Sequence, residues 1–159
     1  MNLPLALADR VRELFISGKW IANTNYKNEL EHISWEVATY KIDTLNSILD
    51  LTYHINYYLK GILTAHKTGK LEIRDSFSFD SHNIANQDDW SSLVEELLQN
   101  AEKLAGIIES LEIQQLAQPF FDPKYGNYLR NFEGLMEHSY YHLGQLVLIK
   151  KLVLGRVVF

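Results

Sequence analysis

Apolar residues recur at helical spacing in four separate segments of this chain, and no other feature constrains its fold more strongly. Residues at this spacing lie on one face of a helix, so each segment predicts an amphipathic helix with one buried side. Long connections join some of these segments, which predicts an all-α four-helix bundle and allows a topology other than simple up-down-up-down. The four predicted helices cover residues 3–16, 44–67, 89–110 and 129–154.

Residues typical of helix termini lie at the ends of these segments. Asp43 is the predicted N-cap of the second helix, and Gly69 follows its last turn. The sequence "SLVE" over residues 92–95 resembles a capping box at the start of the third helix, and Gly155 follows the fourth. Residues 70–89 form a long connection with brief strand-like alternation.

Length, composition and charge limit the class of protein. The chain has 159 residues, 47% of them apolar, which is enough for one domain over residues 1–159 with its own core. No segment reaches the roughly 18 uninterrupted apolar residues of a membrane helix, and the N-terminus does not resemble a signal peptide. We therefore expect a cytoplasmic protein without a membrane span. The net charge of −5 argues against direct nucleic-acid binding.

Two histidines lie four residues apart within the predicted core-facing stripe of the fourth helix. His138 and His142 share one side of the helix, where both imidazoles can bind one metal ion. Ser139 stands where the HExxH motif has its glutamate, so no general base is built into this pair. The chain has no cysteine, so a transition metal would need imidazole or carboxylate ligands. The predicted stripe consists of Leu135, His138, His142, Gln145, Leu146, Ile149 and Val153.

A third imidazole from another helix would complete a set of three nitrogen ligands with open positions. His54 is the best candidate, because it lies on the flank of the apolar stripe in the second helix. The weaker candidates are His32, His66 and His82. The alternative interpretation is that the histidines are core residues hydrogen-bonded to the backbone or to one of the abundant tyrosines. The apolar stripe of the second helix consists of Ile48, Leu51, Thr52, Ile55, Leu59 and Ile62.

Three further polar residues are predicted at the edge of such a site. Gln145, one turn from His142, either orients a ligand or serves as a buried hydrogen-bond linker. Tyr58 and Asn46 are candidates for the pocket edge, although Tyr58 also suits the core and Asn46 the start of a helix. Glu137 is predicted to point away from the site. Trp20, Trp35 and Trp90 are predicted packing anchors.

The histidine-containing segments resemble the DinB/YfiT-like superfamily. The likeness rests first on "HSYYHLGQ" (138–145) and "LTYHINYY" (51–58). A closer resemblance, to the uncharacterised DUF1572 branch, extends over most of the chain. It is carried by "LNSILDLTYHINYYLKG", "IRDSFSFD", "DDW" and "YGNYLRNFEGLMEHSYYHLGQLVLIKKL".

This resemblance implies a fold, a metal site and a class of chemistry. The fold would be an up-down-down-up four-helix bundle, frequently a homodimer. The ligands of a divalent ion, Zn²⁺ or Ni²⁺, would be His54, His138 and His142. The implied activity is that of a metal-dependent S-transferase with a low-molecular-weight thiol as co-substrate, and the expected partner is a small-molecule ligand or thiol. No catalytic residue is assigned.

Two other functions stay open at this point. One is a non-catalytic, metal-stabilised homodimeric interaction or stress protein, and the other is a metal-dependent hydrolase, since a bound ion lowers the pKa of water. The apolar C-terminal sequence "LVLGRVVF" would either cover another subunit or pack against the first helix of its own chain. Fold likeness alone does not choose among these functions.

Overall fold

The structure, a computed structural model, describes residues 2–81 and 83–157. This part of the chain is all-helical, which confirms the predicted class, and none of these residues forms a strand. None of its helices is both long and apolar enough to cross a membrane. Its α-helices are α1 (Leu3–Arg12), α2 (Tyr26–Leu30), α3 (Trp35–Thr39), α4 (Ile48–Thr68), α5 (Gln87–Glu109) and α6 (Tyr128–Val157).

The four longest helices correspond to the four predicted segments. α1 packs on α5, α5 packs on α4, and α4 packs on α6. Leu7 and Val11 of α1, Leu97 and Leu104 of α5, and Leu59 of α4 are buried in the common core. Every predicted stripe residue of α4 is buried, because burial of apolar surface is the main force that joins amphipathic helices. The periodicity therefore located the core correctly.

The first turn of α4 is capped by Ser47, and the predicted N-cap Asp43 is wrong. The Ser47 hydroxyl oxygen accepts a hydrogen bond from the Asp50 amide at 3.1 Å, and the Asp50 carboxylate accepts one from the Ser47 amide at 2.9 Å. This reciprocal capping box satisfies two amides that a helix start leaves free. Asp43 instead occupies a left-handed turn with φ 48°, before the helix begins.

The other predicted boundaries differ in their accuracy. Gly69 ends α4 as predicted, in a left-handed conformation with φ 73° that glycine adopts without strain. The "SLVE" capping box is wrong, because Asn86 caps α5 and Ser92 already lies inside the helix. Gly155 does not end α6, which continues to Val157. In that last stretch Val153 is buried, whereas Leu152 and Leu154 face outward.

Shorter elements fill the connections. α1 continues as a π-helical turn, Glu13–Ser17, and stops at Gly18. The strand-like alternation of residues 70–89 gives no strand among the described residues, but a 3₁₀ turn at Asp75–Phe77. This connection packs against α4 and reaches its middle, where Tyr57 donates a hydrogen bond to the Arg74 carbonyl at 3.0 Å. The middle of α4 carries His54.

The three tryptophans are not equivalent. Trp90 is fully buried and Trp35 is half-buried against the core, as expected for packing anchors. The same prediction for Trp20 is wrong, because its side chain is 90% exposed in the turn that follows the π-helical segment. A turn residue has no helical stripe to direct its side chain into the core, so a single large apolar residue there is a poor indicator of burial.

We expect opposite effects from alanine at two helical glycines. A Cβ at Gly61 would overlap the Ile73 side chain of the connection, whereas a Cβ at Gly106 would have no atom within 4 Å. Gly106→Ala should therefore stabilise the protein by up to about 1 kcal/mol, and Gly61→Ala should destabilise it by about 1–3 kcal/mol through overpacking. Urea unfolding measures both. Equal stabilisation by the two substitutions would contradict the packing of the connection on α4.

Candidate metal centre

The structure brings the three predicted histidines together from two helices. His54 lies in the middle of α4, and His138 and His142 occupy successive turns of α6. One ring nitrogen from each histidine lies within 4.8 Å of the other two. His54 and His142 are buried and His138 is half-buried. The arrangement is a group of three imidazoles that could hold one metal ion.

The shortest contact in this group joins the Nε2 atoms of His54 and His138, which lie 2.9 Å apart. Two nitrogens that bind the same ion at about 2.0–2.1 Å lie about 3 Å apart, so this separation suits shared coordination. Two bare nitrogen lone pairs repel each other at such a distance. A proton or a cation between them removes that repulsion.

The other ring nitrogens of two of these histidines have partners outside the cluster. His54 Nδ1 lies 3.3 Å from the carbonyl oxygen of Ser78, and His142 Nδ1 lies 2.7 Å from Oε1 of Gln145. Because both partners are acceptors, they favour the proton on Nδ1 and leave Nε2 free as a ligand atom. Outer partners of this kind orient metal-binding histidines in proteins. Gln145 is therefore a hydrogen-bond partner of His142, in a position that suits orientation of its ring.

Aromatic side chains hold the His54 ring from two sides. Phe79 stacks on it with ring centres 4.0 Å apart, and Tyr58 contacts its edge at 5.0 Å. Tyr58 also contacts His138, with ring centres 5.5 Å apart. The Tyr58 hydroxyl donates a hydrogen bond to Asp75 Oδ1 at 2.8 Å. Asp75 and Phe79 both belong to the connection that packs on α4.

Burial keeps the histidines neutral. Loss of solvent, together with the neighbouring His142 and His138, lowers the pKa of His54 to about 4. Loss of solvent also lowers the pKa of His138 and of His142. Burial, together with the hydrogen bond to Asp75, raises the pKa of Tyr58 to about 12. At neutral pH the cluster therefore offers uncharged imidazoles, the form that binds metal, beside a protonated phenol.

The remaining candidate residues lie elsewhere. Asn46 is exposed just before the Ser47 cap, and Glu137 is exposed and forms an ion pair with Arg130 at 3.0 Å. His32 is exposed in the turn after α2. His66 packs among aromatic rings near the C-terminus of α4, with ring centres 5.0 Å from Phe121. His82 lies outside the described residues.

Three contributors to the site were missed from the sequence. They are Asp75, the Ser78 carbonyl and Phe79, all in the segment "IRDSFSFD". Its presence among the motifs that resemble the DUF1572 branch is the one sequence feature that could have indicated a role in the site. Helical periodicity could not, because it applies only to residues within helices. A cavity of about 390 Å³ opens beside His138, with Tyr58 and Asp75 in its wall.

The donor set is chemically suited to a divalent ion. Neutral imidazoles are preferred ligands of zinc and nickel, and three of them leave further coordination positions for other groups. Comparisons with protein-family models, with curated proteins and with solved structures find no match to this chain.

The lowered histidine pKa values predict an unusual pH profile for metal binding. Three imidazoles with an ordinary pKa near 6.5 would lose affinity by up to about a thousandfold for each pH unit below that value, because protons compete with the ion. Here the lowered pKa values reduce proton uptake below pH 6.5, so zinc affinity should fall much less between pH 7 and pH 6 and decline only at lower pH. Competition with a chromophoric chelator measures this. A steep loss that begins at pH 6.5 would contradict the buried geometry.

Proposed function

We propose that this chain is a divalent-metal-binding protein of the DinB/YfiT-like superfamily, in its DUF1572-like branch. His54, His138 and His142 would hold Zn²⁺ or Ni²⁺. The observation that carries the proposal is the convergence of three imidazoles from α4 and α6, with two Nε2 atoms 2.9 Å apart. The proposed architecture is the up-down-down-up four-helix bundle, and the packing of α1 on α5, α5 on α4 and α4 on α6 supports the bundle arrangement.

The metal interpretation accounts for more of the site than a hydrogen bond between histidines does. A single proton can bridge His54 and His138, but it leaves the third histidine without a role. Nδ1 of His142 is hydrogen-bonded to Gln145 Oε1, and Nδ1 of His54 to the Ser78 carbonyl oxygen. Nε2 therefore stays available for a metal ion in both rings. One cation can contact all three rings, whereas one proton joins only two nitrogens. This difference favours a metal ion.

We further propose that the chemistry is transfer of a low-molecular-weight thiol to an electrophile. A bound divalent ion would supply positive charge that favours the thiolate over the thiol. The cavity beside His138 has room for a small co-substrate, and volumes from about 300 Å³ upward are typical of ligand pockets. Tyr58 contacts His138 at this cavity, and its hydroxyl oxygen, whose hydrogen is donated to Asp75, can accept a hydrogen bond from a ligand. The thiol proton would pass to solvent and the sulfur would bond to the electrophilic carbon, while the bond from that carbon to the leaving group breaks and the leaving group departs with the electron pair.

We expect tag-free protein to carry about one divalent ion per chain and to conjugate a small thiol to monochlorobimane, with release of chloride. His138→Ala should abolish metal binding and conjugation, because it removes one of only three ligands. His32→Ala is the matched control, since His32 is exposed and outside the cluster. Metal analysis and fluorescence across a thiol panel measure the two properties. Protein that neither contains nor takes up Zn²⁺ or Ni²⁺ would contradict the proposal.

A second candidate function is a non-catalytic homodimer stabilised by the metal. An exposed apolar face on α6 favours it: Tyr141, Leu148 and Leu152 lie on one side of the helix and are 63%, 58% and 41% exposed. Exposed apolar faces of this kind are typical of protein interfaces. In this function the ion would hold α4 and α6 together, and no thiol would be consumed. One divalent ion per chain without turnover would favour this function.

A charged substitution on the exposed apolar face of α6 tests the proposed dimer. Leu148→Glu should convert a dimer into a monomer, because an unpaired carboxylate is costly to bury in an interface. Leu45→Glu is the matched control, since Leu45 is also a largely exposed leucine but lies before α4. Analytical ultracentrifugation measures the assembly. If the unaltered chain and both variants are dimers, α6 is not the interface. If the unaltered chain is a monomer, the homodimer proposal is wrong.

A further inference from the structure

The cavity beside His138 is lined by apolar and polar side chains, with few charged groups among them. Arg130 and Asp75 are the fully charged side chains among its lining residues, and they differ in sign. A pocket with this composition suits a small organic molecule that has one charged group, because the apolar wall binds its carbon skeleton and the charge fixes its orientation. The apolar lining consists of Ile62, Leu71, Ile73, Phe120 and Leu135.

Arg130 lies on the same helix as the histidine pair and reaches toward it. Its Nη1 atom would lie 3.9 Å from a Cβ at Gly134, so the guanidinium extends along α6 over this glycine. Gly134 is one turn before His138, which also lines the cavity. At a rise of about 1.5 Å per residue, Gly134 and His138 are separated by about 6 Å along the helix axis. A molecule of a few bonds can span that distance.

The present partner of Arg130 leaves it able to bind a ligand. Nη1 donates to Glu137 Oε2 at 3.0 Å, and both side chains of this pair are more than half exposed. Exposed ion pairs contribute little stability, and a guanidinium has five N–H donors of which this contact uses one. An incoming carboxylate can therefore share the guanidinium with Glu137 or replace it. Such charge-assisted pairs with arginine are strong and directional.

Asp75 also lines the cavity, and its negative charge limits where an anionic ligand group can bind. Its Oδ1 already accepts the Tyr58 hydroxyl, and its negative charge repels a second carboxylate placed near it. An anionic ligand group is thus disfavoured beside Asp75 and favoured beside Arg130. The remaining end of the ligand then lies toward His138 and the histidine cluster.

We propose that the cavity selects a small thiol that carries a carboxylate, with Arg130 binding the carboxylate and the sulfur directed toward the three histidines. This inference rests on the proposed thiol-transfer function and names its co-substrate class. Arg130 is then a specificity-determining residue for that co-substrate. Glu137, its competitor for the guanidinium, weakens the interaction.

The test compares two thiols of nearly equal size on zinc-loaded, full-length protein. Isothermal titration calorimetry should show that 3-mercaptopropionate binds at least about tenfold more tightly than 3-mercapto-1-propanol, since only the acid can pair with Arg130. Arg130→Gln should remove this preference, and Glu137→Gln should increase it because the guanidinium loses its competitor. Arg156→Gln, at the far end of α6, is the matched control and should leave the preference unchanged.

The outcomes separate this inference from the function on which it rests. Equal binding of the two thiols, or a preference that persists in Arg130→Gln, overturns the role of Arg130 and leaves metal-dependent thiol transfer intact. Zinc content measured before any thiol is added tests the metal proposal by itself. If zinc does not load, the same titrations on metal-free protein decide: a preference that depends on Arg130 supports the carboxylate contact, and its absence overturns it.

Discussion

The contact between the Nε2 atoms of His54 and His138, 2.9 Å apart, is the constraint on which the site depends. It joins α4 to α6 through buried and half-buried polar atoms, and an unsatisfied polar group there costs free energy. His142 and Gln145 extend this polar group along α6. Together they form a cluster that stays neutral at physiological pH and whose nitrogen lone pairs are brought together by packing. A cation shared by the three rings would satisfy all of them at once.

The connection between α4 and α5 completes the cluster. It supplies the Ser78 carbonyl to His54 Nδ1, the Phe79 ring that stacks on His54, and Asp75, which accepts the Tyr58 hydroxyl. Gly61 allows this segment to lie close against α4, since a side chain there would overlap Ile73. The arrangement holds the His54 ring in place, so its free nitrogen already points toward His138. Such pre-organisation lowers the cost of binding an ion.

Much of the fold and the central part of the site could be predicted from the sequence, because both follow from helical periodicity. Spacing alone placed His138 and His142 on the core-facing side of α6 and His54 beside the stripe of α4. The contributions of Asp75, Ser78 and Phe79 could not be derived in this way, since a connection has no regular period and their positions depend on tertiary packing. The same reason explains the wrong N-cap at Asp43: the side chain of Ser47 and that of Asp50 form the cap together, and the backbone of Asp43 turns away before the helix starts. Trp20 shows that composition without periodicity is a weak guide to burial.

The central claim is that His54, His138 and His142 are ligands of one ion, and X-ray absorption at the zinc K-edge tests it most directly. The zinc-loaded, tag-free chain should show about three imidazole nitrogens at about 2.0–2.1 Å, with the multiple-scattering signal that histidine rings produce. His54→Ala should remove the bound zinc, as His138→Ala does, because the site loses one of only three ligands. A spectrum dominated by oxygen ligands, or one that His54→Ala leaves unchanged, would contradict the claim.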